Sequence, residues 1–127
     1  MDKVLIGIIS AMDEELEAYL EVLEEKSSRV FSRTTFHRGF LHGHEVVLVR
    51  SGVGKVNAAI CAQMLVNLYD VTRIIYTGVA GGVNPALKVL DIVISRDSMQ
   101  HDIDASQLGF SRGQILIDRL NRLALSQ

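Results

Sequence analysis

The chain has 127 residues, 48% of them hydrophobic and 22% charged, with a formal net charge of -2. That is the size and composition of one ordinary globular domain, expected to span residues 1–127. Its Lys and Arg residues are scattered rather than clustered, which excludes a nucleic-acid backbone as the main partner. The single cysteine, Cys61, excludes an internal disulfide framework and fits a reducing, cytoplasmic compartment.

In chain order, "KVLIGIIS" is short, continuously apolar and β-branched, the pattern of a strand buried on both faces of a parallel or mixed sheet. Its apolar core is too short for a membrane span and the wrong shape for a signal peptide. "SAMDEELEAYLEVLEEK" follows with Met12, Leu16, Tyr19, Leu20 and Leu23 at helical spacing, predicting an amphipathic helix that opens on an S-x-x-D cap from Ser10 to Asp13. Residues 29–41 read as one or two strands, His42-Gly43 as a turn and "EVVLVRS" as the returning strand.

"SGVGKVNAAICAQMLVNLY" reads as a glycine loop and then a helix from about Lys55 to Tyr69, apolar enough to be buried over much of its circumference. The apolar run "RIIY" predicts a further buried strand, running into "TGVAGG". "LKVLDIVISRDSMQH" predicts a long strand leaving a turn at Pro85, and Leu116, Leu120 and Leu123 predict a last helix. The order is roughly β-α-β-β-α-β-β-α, an α/β fold with a mixed, largely parallel sheet flanked by helices. Sheets of this kind bind ligands beyond the carboxyl ends of their strands. Three polar or glycine-rich segments fall there: Ser10–Glu15, Ser51–Lys55 and Thr77–Gly82.

Neither glycine segment is a phosphate loop by pattern. "SGVGKVN" has no Ser or Thr after Lys55, and Asn57 stands where a dinucleotide fingerprint needs its third glycine. Taken alone, each is a tight turn. Asp13, Glu14 and Glu15 would complement a helix dipole, each by about 0.3–1 kcal/mol when exposed. Glu15 also borders the apolar face, three residues after Met12 and four before Tyr19. Such a carboxylate, its pKa raised by burial, could act as a general base. In "HDID", His101, Asp102 and Asp104 could approach a metal, but no second cluster of ligands accompanies them; a polar strand end near an interface is the simpler reading. Cys61, in an apolar helix, reads as packing, and His37 and His42 read as surface residues of a hairpin.

Five ordered segments, "IGIISAMDEEL", "SGVGKVNAA", "TGVAGGV", "LKVLDIVIS" and "QHDIDASQLGF", together resemble the methylthioadenosine/S-adenosylhomocysteine nucleosidases, over residues 4 to about 115. The resemblance implies a purine nucleoside phosphorylase-like fold, here truncated. It also implies hydrolysis of the N-glycosidic bond of methylthioadenosine and S-adenosylhomocysteine to adenine and a thioribose, within methionine salvage. It further implies a cytoplasmic homodimer that uses no metal or organic cofactor and whose partner is a small-molecule thio-nucleoside.

By the same resemblance, Glu15 matches the glutamate that positions and deprotonates the attacking water. Ala11 and Met12 match residues on the ribose and water side, and Val53 an apolar pocket residue. Val79, Ala80 and Gly81 match the loop lying along the nucleoside, with Gly81 leaving space for the ligand. Leu108 stands where many members have a phenylalanine that reaches the partner subunit's alkylthio pocket. "TGVAGG" would then cradle an uncharged nucleoside rather than a phosphate.

The family's purine-protonating aspartate, its ribose-gripping glutamate and its adenine-stacking aromatic belong to a C-terminal half that these 127 residues do not include. Leu116 also replaces a familiar proline. The expectation is therefore a weak or inactive catalyst on its own, which associates to cover an exposed edge. Two other functions stay open: a nucleoside phosphorylase or futalosine hydrolase relative, and a non-catalytic nucleoside-binding or self-assembling remnant.

Overall fold

The computed structural model describes residues 4–114; the helix expected around Leu116, Leu120 and Leu123 lies outside them. The chain divides into two compact units with the boundary between Gly81 and Gly82.

The first unit is a five-stranded mixed sheet with two helices. In chain order it comprises β1 (Ile6–Ser10), α1 (Asp13–Val22), β2 (Glu24–Phe31), β3 (Thr34–Leu41), β4 (His44–Arg50), α2 (Lys55–Tyr69) and β5 (Arg73–Tyr76). The strand order is β2-β3-β4-β1-β5. β1 pairs in parallel with both β4 and β5, while β2, β3 and β4 form an antiparallel meander. Two turns make that meander. Ser32-Arg33 and His42-Gly43 each place two consecutive residues at positive φ, the backbone of a tight hairpin turn matched to strand twist.

β1 is buried as its apolar run requires, from Gly7 to Ser10. One core cluster joins Leu5, Ile9, Phe36, Val47 and Val49 to Cys61 and Leu65. A second joins Ile8, Val46 and Leu48 to Leu16 and Leu23. Alternate residues of β1 and β4 thus feed opposite faces, as the two-residue period of a strand dictates. Gly7 is needed where α2 crosses: a Cβ there would lie 2.8 Å from a Leu65 methyl.

Several expectations are corrected. α1 is shorter than its periodicity suggested, ending at Val22. Leu23 turns into the core against Gly39, where a Cβ would meet its Cγ at 2.8 Å, and Glu24–Ser28 join β2 instead. Glu25 has positive φ at a register shift between Glu24 and Ser27, the signature of a bulge. Ser10 does not cap α1. It is the last residue of β1, fully buried, and Met12 occupies the N-cap position.

α2 has the expected bounds, but only Cys61 and Leu65 are buried in it. Val56 and Ile60 face out, so α2 is buried along one stripe rather than over much of its circumference. In place of the buried strand that "RIIY" predicts, β5 is an outer strand of the sheet that pairs, among the described residues, with β1 alone, and its four residues are exposed.

The second unit, from Gly82, contains turns and a 3-10 turn at Ser106–Leu108. The long strand expected over residues 87–101 does not form among the described residues. A strand requires a partner edge to satisfy its backbone. Here the segment forms local turns instead: the Leu87 amide donates to the Asn84 carbonyl, and the Lys88 amide to the Asp91 carboxylate. No helix among the described residues is long and apolar enough to cross a membrane.

Candidate active site at the carboxyl ends of three parallel strands

Because β4 and β5 both run parallel to β1, their carboxyl ends emerge on one side of the sheet. Residues 11–15, 51–55 and 77–81 leave the sheet there. The ladder continues one residue past β4 and one past β5: the Ser51 amide donates to the Ser10 carbonyl and the Thr77 amide to the Ile9 carbonyl, both at 2.9 Å. The three exits are therefore held at fixed spacing by backbone bonds. The β4 exit is shaped by Gly52 and Gly54, both at positive φ, and closed by a 2.8 Å bond from the Asn57 amide group to the Val53 carbonyl.

Glu15 ties two of these exits together. Its Oε2 accepts the Ala11 amide at 2.9 Å and the Met12 amide at 3.0 Å. Its Oε1 accepts the Val79 amide at 2.9 Å. The first two bonds are what a residue at the third helical position does when it reaches back over the N-terminus. The third crosses to the β5 exit, 64 residues along the chain. A second clasp lies nearby, where the Tyr19 hydroxyl and Thr77 Oγ1 are 3.2 Å apart.

The expected upward pKa shift of Glu15 is corrected. The Val79 amide, then the Met12 and Ala11 amides, hold its carboxyl below the usual glutamate range, and desolvation opposes them without prevailing. Hydrogen bonds to the charged form outweigh a small loss of water. An ionised carboxylate has about four lone-pair positions; among the described residues three are occupied here, two on Oε2 and one on Oε1.

Of the residues expected at the site, Ala11, Met12, Glu15 and Val79 are brought into direct contact. Val53 and Val79 are 75% and 81% exposed, which leaves apolar surface uncovered at the β4 and β5 exits. Ala80 is exposed beside them. Around Gly81 a Cβ would meet nothing within 4 Å, so space for a side chain exists there. The crowded glycine is instead Gly78, where a Cβ would lie 2.5 Å from Glu15 Oε1. Neither Gly78 nor the Tyr19–Thr77 clasp is evident from local sequence pattern. A cavity of about 450 Å³ shares Asp13, Ser51 and Gly52 with the strand exits, but its other walls include Leu16, Leu20 and Arg50, and Glu15 is not among them.

Leu108 belongs to the second unit and is exposed in its 3-10 turn. "HDID" is not a strand end. Asp104 Oδ1 accepts the Ser106 amide at 3.0 Å, and its pKa is lowered by bonds from the Ser106 side chain and backbone. Among the described residues no group of three or more His, Cys, Asp or Glu could hold a metal ion. Cys61 is buried, which pushes its thiol pKa up, as suits packing rather than nucleophilic work. His37 lies on β3 of the hairpin, half-buried, where it makes a solvent-exposed bond to Ser28 at 2.8 Å.

The chain is similar to the 5'-methylthioadenosine/S-adenosylhomocysteine nucleosidase of Chromohalobacter salexigens, 46% identical over 110 residues, which are 87% of this chain and 47% of that protein. The chain thus spans about half the length of the curated relatives it matches. Among solved structures it resembles the corresponding nucleosidase of Colwellia psychrerythraea in complex with adenine, with a TM-score of 0.88 and 39% identity over 91% of this chain and 48% of that one. It also resembles a futalosine hydrolase of Helicobacter pylori, with a TM-score of 0.82 and 28% identity over 90% of this chain and 49% of that one. The model of the phosphorylase superfamily matches residues 5–124, and the chain belongs to that superfamily.

Proposed function

We propose that this chain supplies the water-activating side of a nucleosidase. That nucleosidase hydrolyses the N-glycosidic bond of methylthioadenosine and S-adenosylhomocysteine to give adenine and a thioribose. The observation that carries the reading is the Glu15 carboxylate, held at the β1 and β5 exits by three backbone amides, with a single bond to Oε1 among the described residues. A water accepted there would be oriented by a base that is ionised at neutral pH. As the C–N bond to the purine lengthens, the ribosyl carbon takes on oxocarbenium character. The water adds to that carbon as Glu15 takes its proton. Ala11, Met12, Val53, Val79, Ala80 and Gly81 would line the nucleoside. They offer apolar surface and backbone rather than charge, which suits an uncharged ligand better than a phosphate.

The reading invokes no metal or organic cofactor. On this reading the protein works in the cytoplasm as a homodimer in which Leu108 presents an apolar wall to the partner's pocket. A base alone performs half of a glycoside hydrolysis, and the departing purine needs a proton donor that the resemblance does not assign to these residues. The 127-residue chain is therefore proposed to turn over slowly or not at all. The test is adenine release from methylthioadenosine, with and without phosphate. Any release should be independent of phosphate and fall roughly 10²–10⁴-fold in Glu15→Gln, the usual scale for a lost general base. Release that requires phosphate would favour a phosphorylase, and release untouched by Glu15→Gln would overturn the assignment of the base. The likeness to a futalosine hydrolase supports a second reading, separated from the first by offering futalosine in the same assay.

A further inference from the structure

Gly78 carries no left-handed backbone: it is absent from the glycines at positive φ, which include Gly52 and Gly54 of the neighbouring exit. An L-residue could adopt its conformation. The constraint there is spatial. A Cβ at 78 would lie 2.5 Å from Glu15 Oε1, 2.8 Å from Cδ and 3.0 Å from Oε2, so the whole carboxylate rests on the bare Cα. The next amide, Val79 N–H, bonds Oε1 at 2.9 Å. The peptide cannot easily retreat, because Thr77 is fixed on both sides, by its amide to the Ile9 carbonyl and its hydroxyl to Tyr19.

We propose that Gly78 is a positioning residue for Glu15, its missing side chain letting the carboxylate lie against the 78–79 peptide while the Tyr19–Thr77 clasp holds that peptide in place. This rests on the reading of Glu15 as the base. The atoms that a Cβ would strike belong to the end of a flexible side chain. The fold should therefore survive a methyl group at 78 by swinging the carboxylate aside, at the cost of its bond to Val79. Gly81 supplies the control, since it lies in the same loop and a Cβ there meets nothing within 4 Å.

The test is carboxyl NMR of the 127-residue chain labelled at glutamate, with Glu15 assigned through Glu15→Gln. In Gly78→Ala the Glu15 titration midpoint should rise towards the ordinary glutamate value and the Val79 amide resonance should shift as its acceptor leaves. Gly81→Ala should leave both where they are. An unchanged midpoint and an unchanged Val79 amide in Gly78→Ala would overturn the proposal. If Gly78→Ala does not fold, Gly78→Ala/Glu15→Ala removes the group in the way and should fold; failure of that pair as well would show that the glycine serves the backbone, and the proposal falls. No readout depends on turnover, so the positioning role and the catalytic reading fail separately.

Discussion

Glu15 is held by bonds that favour its charged form, and the largest effect comes from Val79, the most distant of its partners in sequence. A folded pKa below the unfolded one means that the unfolded state binds more protons as the pH falls. The stabilisation is therefore complete above the unfolded glutamate value and lost as the pH drops through the folded one. Glu15→Gln should melt at a lower temperature than the parent chain at pH 7. The gap should narrow below the ordinary glutamate range and close once the carboxyl is protonated in both states. Thermal melts across that range check this, and a gap that stays constant would contradict it. The same bonds make Glu15 a weaker base but one that is ionised throughout the neutral range, which is the form that can accept a proton from water.

At the scale of elements, what was legible in the sequence followed from local pattern. The apolar run of β1, the span of α2 and the His42-Gly43 turn each depend on neighbours along the chain, and the structure has all three. What was not legible depends on contacts between distant residues. "EEK" continues the polar face of α1 by composition, yet the chain leaves the helix because Leu23 has a core position against Gly39. "RIIY" is apolar enough for a central strand, but strand order makes it an edge. Residues 87–101 alternate well enough for a strand, yet pattern cannot supply the partner that would pair with them. The candidate site divides in the same way. Glu15 stands out in the sequence by its place at the rim of an apolar face and by resemblance, whereas the Val79 amide and Gly78 come to it only through the parallel pairing of β1 with β5.

At the scale of the molecule, much apolar surface is uncovered. Val56 and Ile60 of α2, Ile74 and Ile75 of β5, and Val89, Leu90 and Ile92 of the second unit are all exposed, the last three by more than nine-tenths. Exposed apolar side chains and an outer strand with one paired edge among the described residues are usually covered by association. Light scattering should therefore give a mass of at least twice the 14.0 kDa chain, and a monodisperse monomer would count against the homo-oligomer. Whether the carboxyl ends of β1, β4 and β5 form the proposed thio-nucleoside site around Glu15 is decided by titrating the isotope-labelled chain with methylthioadenosine and following its amide resonances. Shifts should concentrate at Ala11, Met12, Glu15, Val53 and residues 79–81, whether or not the nucleoside is cleaved. Shifts confined to other parts of the chain, or none at millimolar nucleoside, would contradict it.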